Sequence, residues 1–352
     1  MSTHLIPQLS VLDLVPVRTG QSSVQALAAS LDLAALADRL GLTRYWFAEH
    51  HNMAGVAASS PPVMIAAAAA RTTRIRVGSG GVMLPNHAPL VVAEQFAALE
   101  AIAPGRIDLG IGRAPGSDPV VSSLLRSSGP TATVEQFPQH VRDIITMMSP
   151  DGAQLRVGDG HLYRVAATPA ATGSPDVWLL GSSDYSARLA AELGLPYVFA
   201  NHFAGQGMAQ IVGLYRDNYR PSEAFPEPRT FLTMNTVVAE SDDEAHARAL
   251  PQLRAMARLR TGRAMRPLET VEEALADRPD HVMEVTIESM RERWLIGDAD
   301  FAAKHLRGLA EQHAVDEVMI VPVAGTREGE PLDATPGRAT TLELLAGALS
   351  AT

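Results

Sequence analysis

RIRVGSGGVMLPNHAPLVVAEQFAALEAIAPGRIDLGIG, residues 74–112, reads as a strand (74–80), a helix (89–102) and a second strand (105–112). Both strands are largely apolar, which predicts parallel neighbours buried on two faces and joined by a crossover helix. The same unit repeats outward in both directions. Upstream, 8–14 reads as a strand, 23–40 as a helix stopped at Gly41, and 43–49 as an aromatic strand. Ser60 then caps a helix that opens on two prolines. Downstream come a helix near 134–148, a hairpin at 154–165, strands at 176–181, 196–200 and 230–239, and a last strand at 316–323. Helices are predicted over 183–193, 205–219, 242–260, 269–278 and 339–350, and another precedes the last strand. Eight strands, each followed by helix, predict an α/β fold, a (β/α)8 TIM barrel formed by one domain over 1–352. The usual length of that fold is about 250 residues. The surplus falls in insertions after strands 4 and 7. A doubly wound open sheet is the structural rival.

Composition removes several chemistries. Acidic residues number 39 and basic ones 29, a formal charge of -10, so no cationic surplus is available for nucleic acid. There is no cysteine, which excludes disulfides, thiolate metal sites and cysteine nucleophiles. Lys304 is the only lysine, on a surface-style helix position, and no Gly-Lys-Ser/Thr phosphate loop exists. The N-terminus lacks a signal-peptide pattern, and "PPVMIAAAAA" is too short to span a bilayer. These features lead to the expectation of a soluble, cytoplasmic protein without membrane partners.

In a parallel barrel, chemistry gathers where strands end. After strand two come Glu49, His50 and His51. Alternation along an extended chain should point the two histidines differently, so only one faces a ligand. A metal site built from Glu49, His50 and His51 is an alternative, although adjacent residues rarely chelate together. After strand three, Gly78, Gly80 and Gly81 clear space for backbone or a flat ligand, and His87 follows in the loop. After strand four, Gly110, Gly112 and Gly116 imitate a dinucleotide loop, but Pro115 and Asp118-Pro119 stand where a helix should open at once. Arg113 at that strand end is a forked cation suited to phosphate or carboxylate. After strand five, Gly181 leads into a helix bearing Ser182, Ser183 and Ser186, whose free N–H groups and hydroxyls suit phosphate. A plain helix cap at Ser182 or Ser183 is compatible with that role. Trp46, Met83 and Trp178 suggest an apolar pocket, or else core.

Taken together, "SVLD" (10–13), "RYWFAEHHN" (44–52), "RIRVGSGGVMLPNHAPLVVAEQF" (74–96), "PGRIDLGIGRAPGSD" (104–118) and "LLGSSDYSARLAAELGLPYVFA" (179–200) resemble the bacterial-luciferase-like flavin-dependent monooxygenases. "DEVMIVP" (316–322) also fits a final barrel strand. The resemblance implies a homodimeric barrel that uses reduced FMN as cosubstrate. With O2 it would oxygenate a small organic substrate through a peroxyflavin, and a separate NAD(P)H-dependent reductase would supply the flavin. It implies that His50 is the active-site histidine, with His51 beside it. Gly80 and Gly81, where some members carry a non-proline cis peptide, would lie beside the isoalloxazine. Arg113, Gly181, Ser182, Ser183 and Ser186 would hold the phosphate, with no metal required. Leu14 and Val15 stand where close relatives more often show polar residues, and "DADF" (298–301) replaces a Thr-Pro helix start. Two rivals stay within the barrel class: a deazaflavin-dependent hydride-transfer enzyme and a non-catalytic flavin-binding protein. The long segment 240–300 is expected to act as a lid.

Overall fold

A computed structural model of the chain describes residues 6–114, 118–127, 134–158, 160–170, 173–204 and 207–351. In chain order the strands are β1 (Gln8–Asp13), β2 (Arg44–Phe47), β3 (Arg76–Met83), β4 (Ile107–Gly112), β5 (Ala153–Val157), β6 (His161–Val165), β7 (Asp176–Gly181), β8 (Tyr197–Phe199), β9 (Thr230–Val238), β10 (Leu295–Gly297) and β11 (Glu317–Pro322). Eight of them close into a parallel ring in the order β1, β2, β3, β4, β7, β8, β9, β11. The β8–β9 pairing and the return of β11 to β1 leave no free edge, so the open-sheet rival is excluded. β5 and β6 form the expected antiparallel hairpin between β4 and β7.

The ring forms because its strands carry apolar side chains toward both faces. Phe47, Val77, Leu109, Leu179 and Ile320 pack outward against the helices, while Leu12, Trp46, Trp178, Val198, Phe231 and Met319 fill the interior. Trp46, Trp178 and Phe231 meet edge-on or tilted, with centroids 5.0–5.7 Å apart. Trp46 and Trp178 are therefore barrel core. Below them, at the N-terminal end of the strands, Arg44 bridges Glu317 (2.6 Å) and Asp108 (2.8 Å), and Arg76 holds the other Asp108 oxygen at 2.6 Å. The Arg44 guanidinium lies 4.9 Å from the Trp178 ring.

The insertions differ in detail from the sequence reading. A helix, Pro119–Ser127, not predicted from the sequence, stands after β4. Pro119 opens this helix, and Asp118 accepts hydrogen bonds from the N–H groups of Val120 and Val121 at 2.8 and 3.0 Å. Pro115 and Gly116, weighed above as loop elements, lie outside the described residues. The helix expected at 205–219 occupies Asn201–Ala204 and Met208–Asp217. The segment after β9 holds the helices Asp242–Arg260 and Val271–Ala276, an additional helix His281–Arg291, and β10 beside β9. Among the described residues no helix is long and apolar enough to cross a membrane.

Candidate active site

All eight strands end on one rim, and the residues singled out above sit there. Glu49 follows β2 and is fully buried. Its Oε1 accepts hydrogen bonds from His51 Nε2 and His87 Nε2, both at 2.8 Å, and its Oε2 accepts the Met83 N–H at 2.9 Å. Burial acts to raise the carboxyl's pKa, but the bonds from His87, His51 and Met83 outweigh it and hold the group below its ordinary value. His51 is thus turned away from the barrel axis onto Glu49. The loop after β3 supplies the third member, His87. Among the described residues no group of three or more acidic or histidine side chains is arranged to hold a metal.

His50 faces the other way, as alternation requires. Its N–H donates to Ala58 O at 2.8 Å, and its side chain lines a cavity of about 110 Å³. Nδ1 is buried without a hydrogen-bond partner. Burial, the largest influence, pushes the imidazole below its ordinary pKa, with His51 adding to the effect and Glu49 opposing it. The cavity wall adds Leu14, Val56, Met256, Leu259, His202 and Asn235. Its floor carries Asp13, which accepts bonds from Arg338, Tyr45, Ser30 and the Val15 N–H. Residues from Gln252 to Leu268, within the segment expected to act as a lid, form its roof.

The glycines of β3 are required by the barrel itself. The strand runs on through them to Met83, past the predicted end at 80, with a register shift between Gly80 and Val82 and a cis peptide between Gly80 and Gly81. A Cβ on Gly80 would lie 2.5 Å from Leu12 Cδ1, and one on Gly81 2.7 Å from Gly110 O. Their steric demand therefore comes from protein neighbours.

On the next strand round the rim, Arg113 follows β4 with its guanidinium 4.1 Å from the Tyr185 ring centre. No carboxylate of the described residues pairs with it. Tyr185 stands in the first turn of the helix Asp184–Leu193, so Arg113 is held beside that helix's N-terminus. Ser183 occupies the N-cap, but its side chain makes no capping bond. The free N–H groups of that turn remain available to an anion. Ser186 is buried beneath Gly181, where a Cβ would come within 2.5 Å of its Oγ. These features suit the phosphate tail of a flavin nucleotide, and the unpartnered His50 suits a ligand in the cavity. The residues present fit the group.

His202, just beyond β8, was not singled out from the sequence, nor was Asn235 on β9. The rule used for the other strands, reading the residue after each strand end, points to His202 when applied to "PYVFA" (196–200). Asn235 lies within an apolar strand and gives no such signal.

The luciferase-like monooxygenase family model matches residues 8–317. A luciferase-like monooxygenase of Escherichia coli K12 is 39% identical over 314 residues, covering 88% of this chain and 90% of that protein. An N-acetyl-S-alkylcysteine monooxygenase of Bacillus subtilis 168 is 38% identical over 200 residues, 56% of this chain and 58% of that protein. The crystal structure of apo-MsnO8 superposes with a TM-score of 0.84 at 32% identity, covering 99% of both chains. The chain belongs to the luciferase-like monooxygenase family of flavin-dependent oxidoreductases.

Proposed function

We propose that the protein is an FMN-dependent monooxygenase that takes reduced flavin and O2 to oxygenate a small organic substrate in the His50 cavity. The observation that carries this reading is the shared rim: an uncapped helix N-terminus with Arg113 at one sector, and a desolvated histidine cavity under a roof at another. Bound reduced flavin supplies the electrons that activate O2. Arg113, Ser182, Ser183, Ser186 and the backbone at Gly181 would hold the phosphate, with the Gly80–Gly81 backbone beside the ring. His50, whose lowered pKa keeps it neutral near pH 7, accepts or returns a proton at the cavity edge. Glu49 fixes His51 and His87, and through them the loops that carry His50 and follow Gly81. The roof excludes water.

The protein acts as a homodimer, with a separate NAD(P)H-dependent reductase delivering flavin. Titrating the protein with reduced FMN and with reduced deazaflavin, followed by fluorescence, tests the cofactor. Tighter deazaflavin binding would replace the oxygenase reading with hydride transfer. Oxygen uptake no faster than free-flavin autoxidation, across aldehyde, aromatic and sulfur-containing substrates, would leave a flavin-binding protein without catalysis.

A further inference from the structure

His202 lines the same cavity as His50, and its hydrogen bonds bear on which ring nitrogen carries the proton. Thr233 Oγ1 has a single proton, and it donates that proton to Phe199 O at 3.0 Å. The same oxygen already accepts the backbone N–H of His202 at 3.3 Å. Toward His202 Nδ1, 3.0 Å away, it can only accept again. With the Thr233 proton on Phe199 O, the ring proton sits on Nδ1 and Nε2 is left as a bare lone pair. Asn235 Nδ2 donates to His202 O at 2.9 Å and steadies the same residue from the neighbouring strand. Burial, followed by the nearby His50, pushes the imidazole down to about 4, so the lone pair persists at neutral pH. The second observation is His50, which lines the same cavity and whose Nδ1 is a buried polar atom with no protein partner. The surrounding wall is mostly methionine and aliphatic, and the charged pair on its floor, Asp13 and Arg338, is mutually satisfied. The other charge on the lining, Arg266, is exposed, and a guest with one donor enclosed by the apolar wall would be completed by His202.

We propose that His202, held by Thr233 as the Nδ1–H tautomer, is the specificity-determining acceptor of this cavity, and that the substrate is a molecule with a largely apolar body bearing an O–H or N–H that reaches Nε2. The proposal rests on reading the cavity as the substrate chamber. Its test uses p-cresol and p-xylene, probes of one shape that differ by a hydroxyl, with and without FMN bound. Nitrogen-15 spectra of the imidazoles should show His202 protonated on Nδ1 in the free protein. p-Cresol should bind at least fivefold more tightly than p-xylene and shift the Nε2 resonance. His202→Asn, which keeps a group near Thr233 but withdraws the outer nitrogen, should erase the preference, and His202→Gln should restore part of it. An Nε2–H tautomer, equal binding of the two probes, binding of neither, or a preference that survives in His202→Asn would overturn the assignment. The last outcome would move it to Asn235 or Gln252. FMN titration of the same samples is scored separately, so a protein that binds no flavin yet prefers p-cresol would sink the oxygenase reading alone.

Discussion

At the scale of single residues, the two ends of the site make separable demands. His50→Ala should leave FMN affinity unchanged and lower productive oxygenation by about a hundredfold or more, the usual worth of a positioned acid or base. Coupled product formation, measured beside flavin binding, checks it, and unchanged turnover would remove His50 from the reaction. Arg113 stacks on Tyr185 with no carboxylate partner among the described residues, so its charge is available to a phosphate. Arg113→Ala should weaken FMN about tenfold, the scale of one lost charge-assisted hydrogen bond, and spare riboflavin, which has no phosphate. Equal losses for the two flavins would refute the phosphate role.

At the scale of elements, β3 and β4 approach so closely that glycine is obligatory between them. A Cβ on Gly110 would stand 2.0 Å from the Ser79 backbone oxygen, which has no flexible end to yield. Gly110→Ala should cost about 1–3 kcal/mol in a urea titration. The roof is tied down by Arg254, buried in the helix Asp242–Arg260 and bonded to Glu269 at 2.6 Å and to Asp277 O at 2.7 Å. Trimming 261–290 should uncouple oxygen consumption from product without changing flavin affinity. Loss of both together would make the segment a structural part of the flavin site. The eight barrel strands were legible because each is an apolar run bounded by turn or cap residues, and strand-end logic led to Glu49, His50, Arg113 and Ser183. The helix Pro119–Ser127 was missed because Asp118-Pro119 was weighed as an interruption instead of a cap and first turn. β10 is three residues of apolar sequence beside a long helix, too short to carry a period. The pairing of His87 with Glu49 joins residues 38 apart, which only the folded register brings together.

For the whole molecule, the buried histidines set an acid limit. His202 is pushed down to about 4 and His50 is also lowered, whereas in the unfolded chain both titrate near 6.5. Between those values the unfolded state binds more protons, so stability rises with pH across the window and is lost as pH falls from about 6.5 toward 4. Glu49, lowered in the fold, extends the loss below its unfolded value. Thermal melting from pH 7 to 4 should show this decline, and His202→Gln should flatten its upper part. An unchanged slope would mean that the ring gains a proton without penalty. The Arg44–Glu317–Asp108 cluster under Trp46, Trp178 and Phe231 has a different bearing on traffic. It makes the chamber a blind alley. With that end filled by side chains, gas, organic guest and product would come and go at the rim, where residues of 252–268 line the cavity, so a crowded entrance should delay departure and turnover should decline at high substrate concentration.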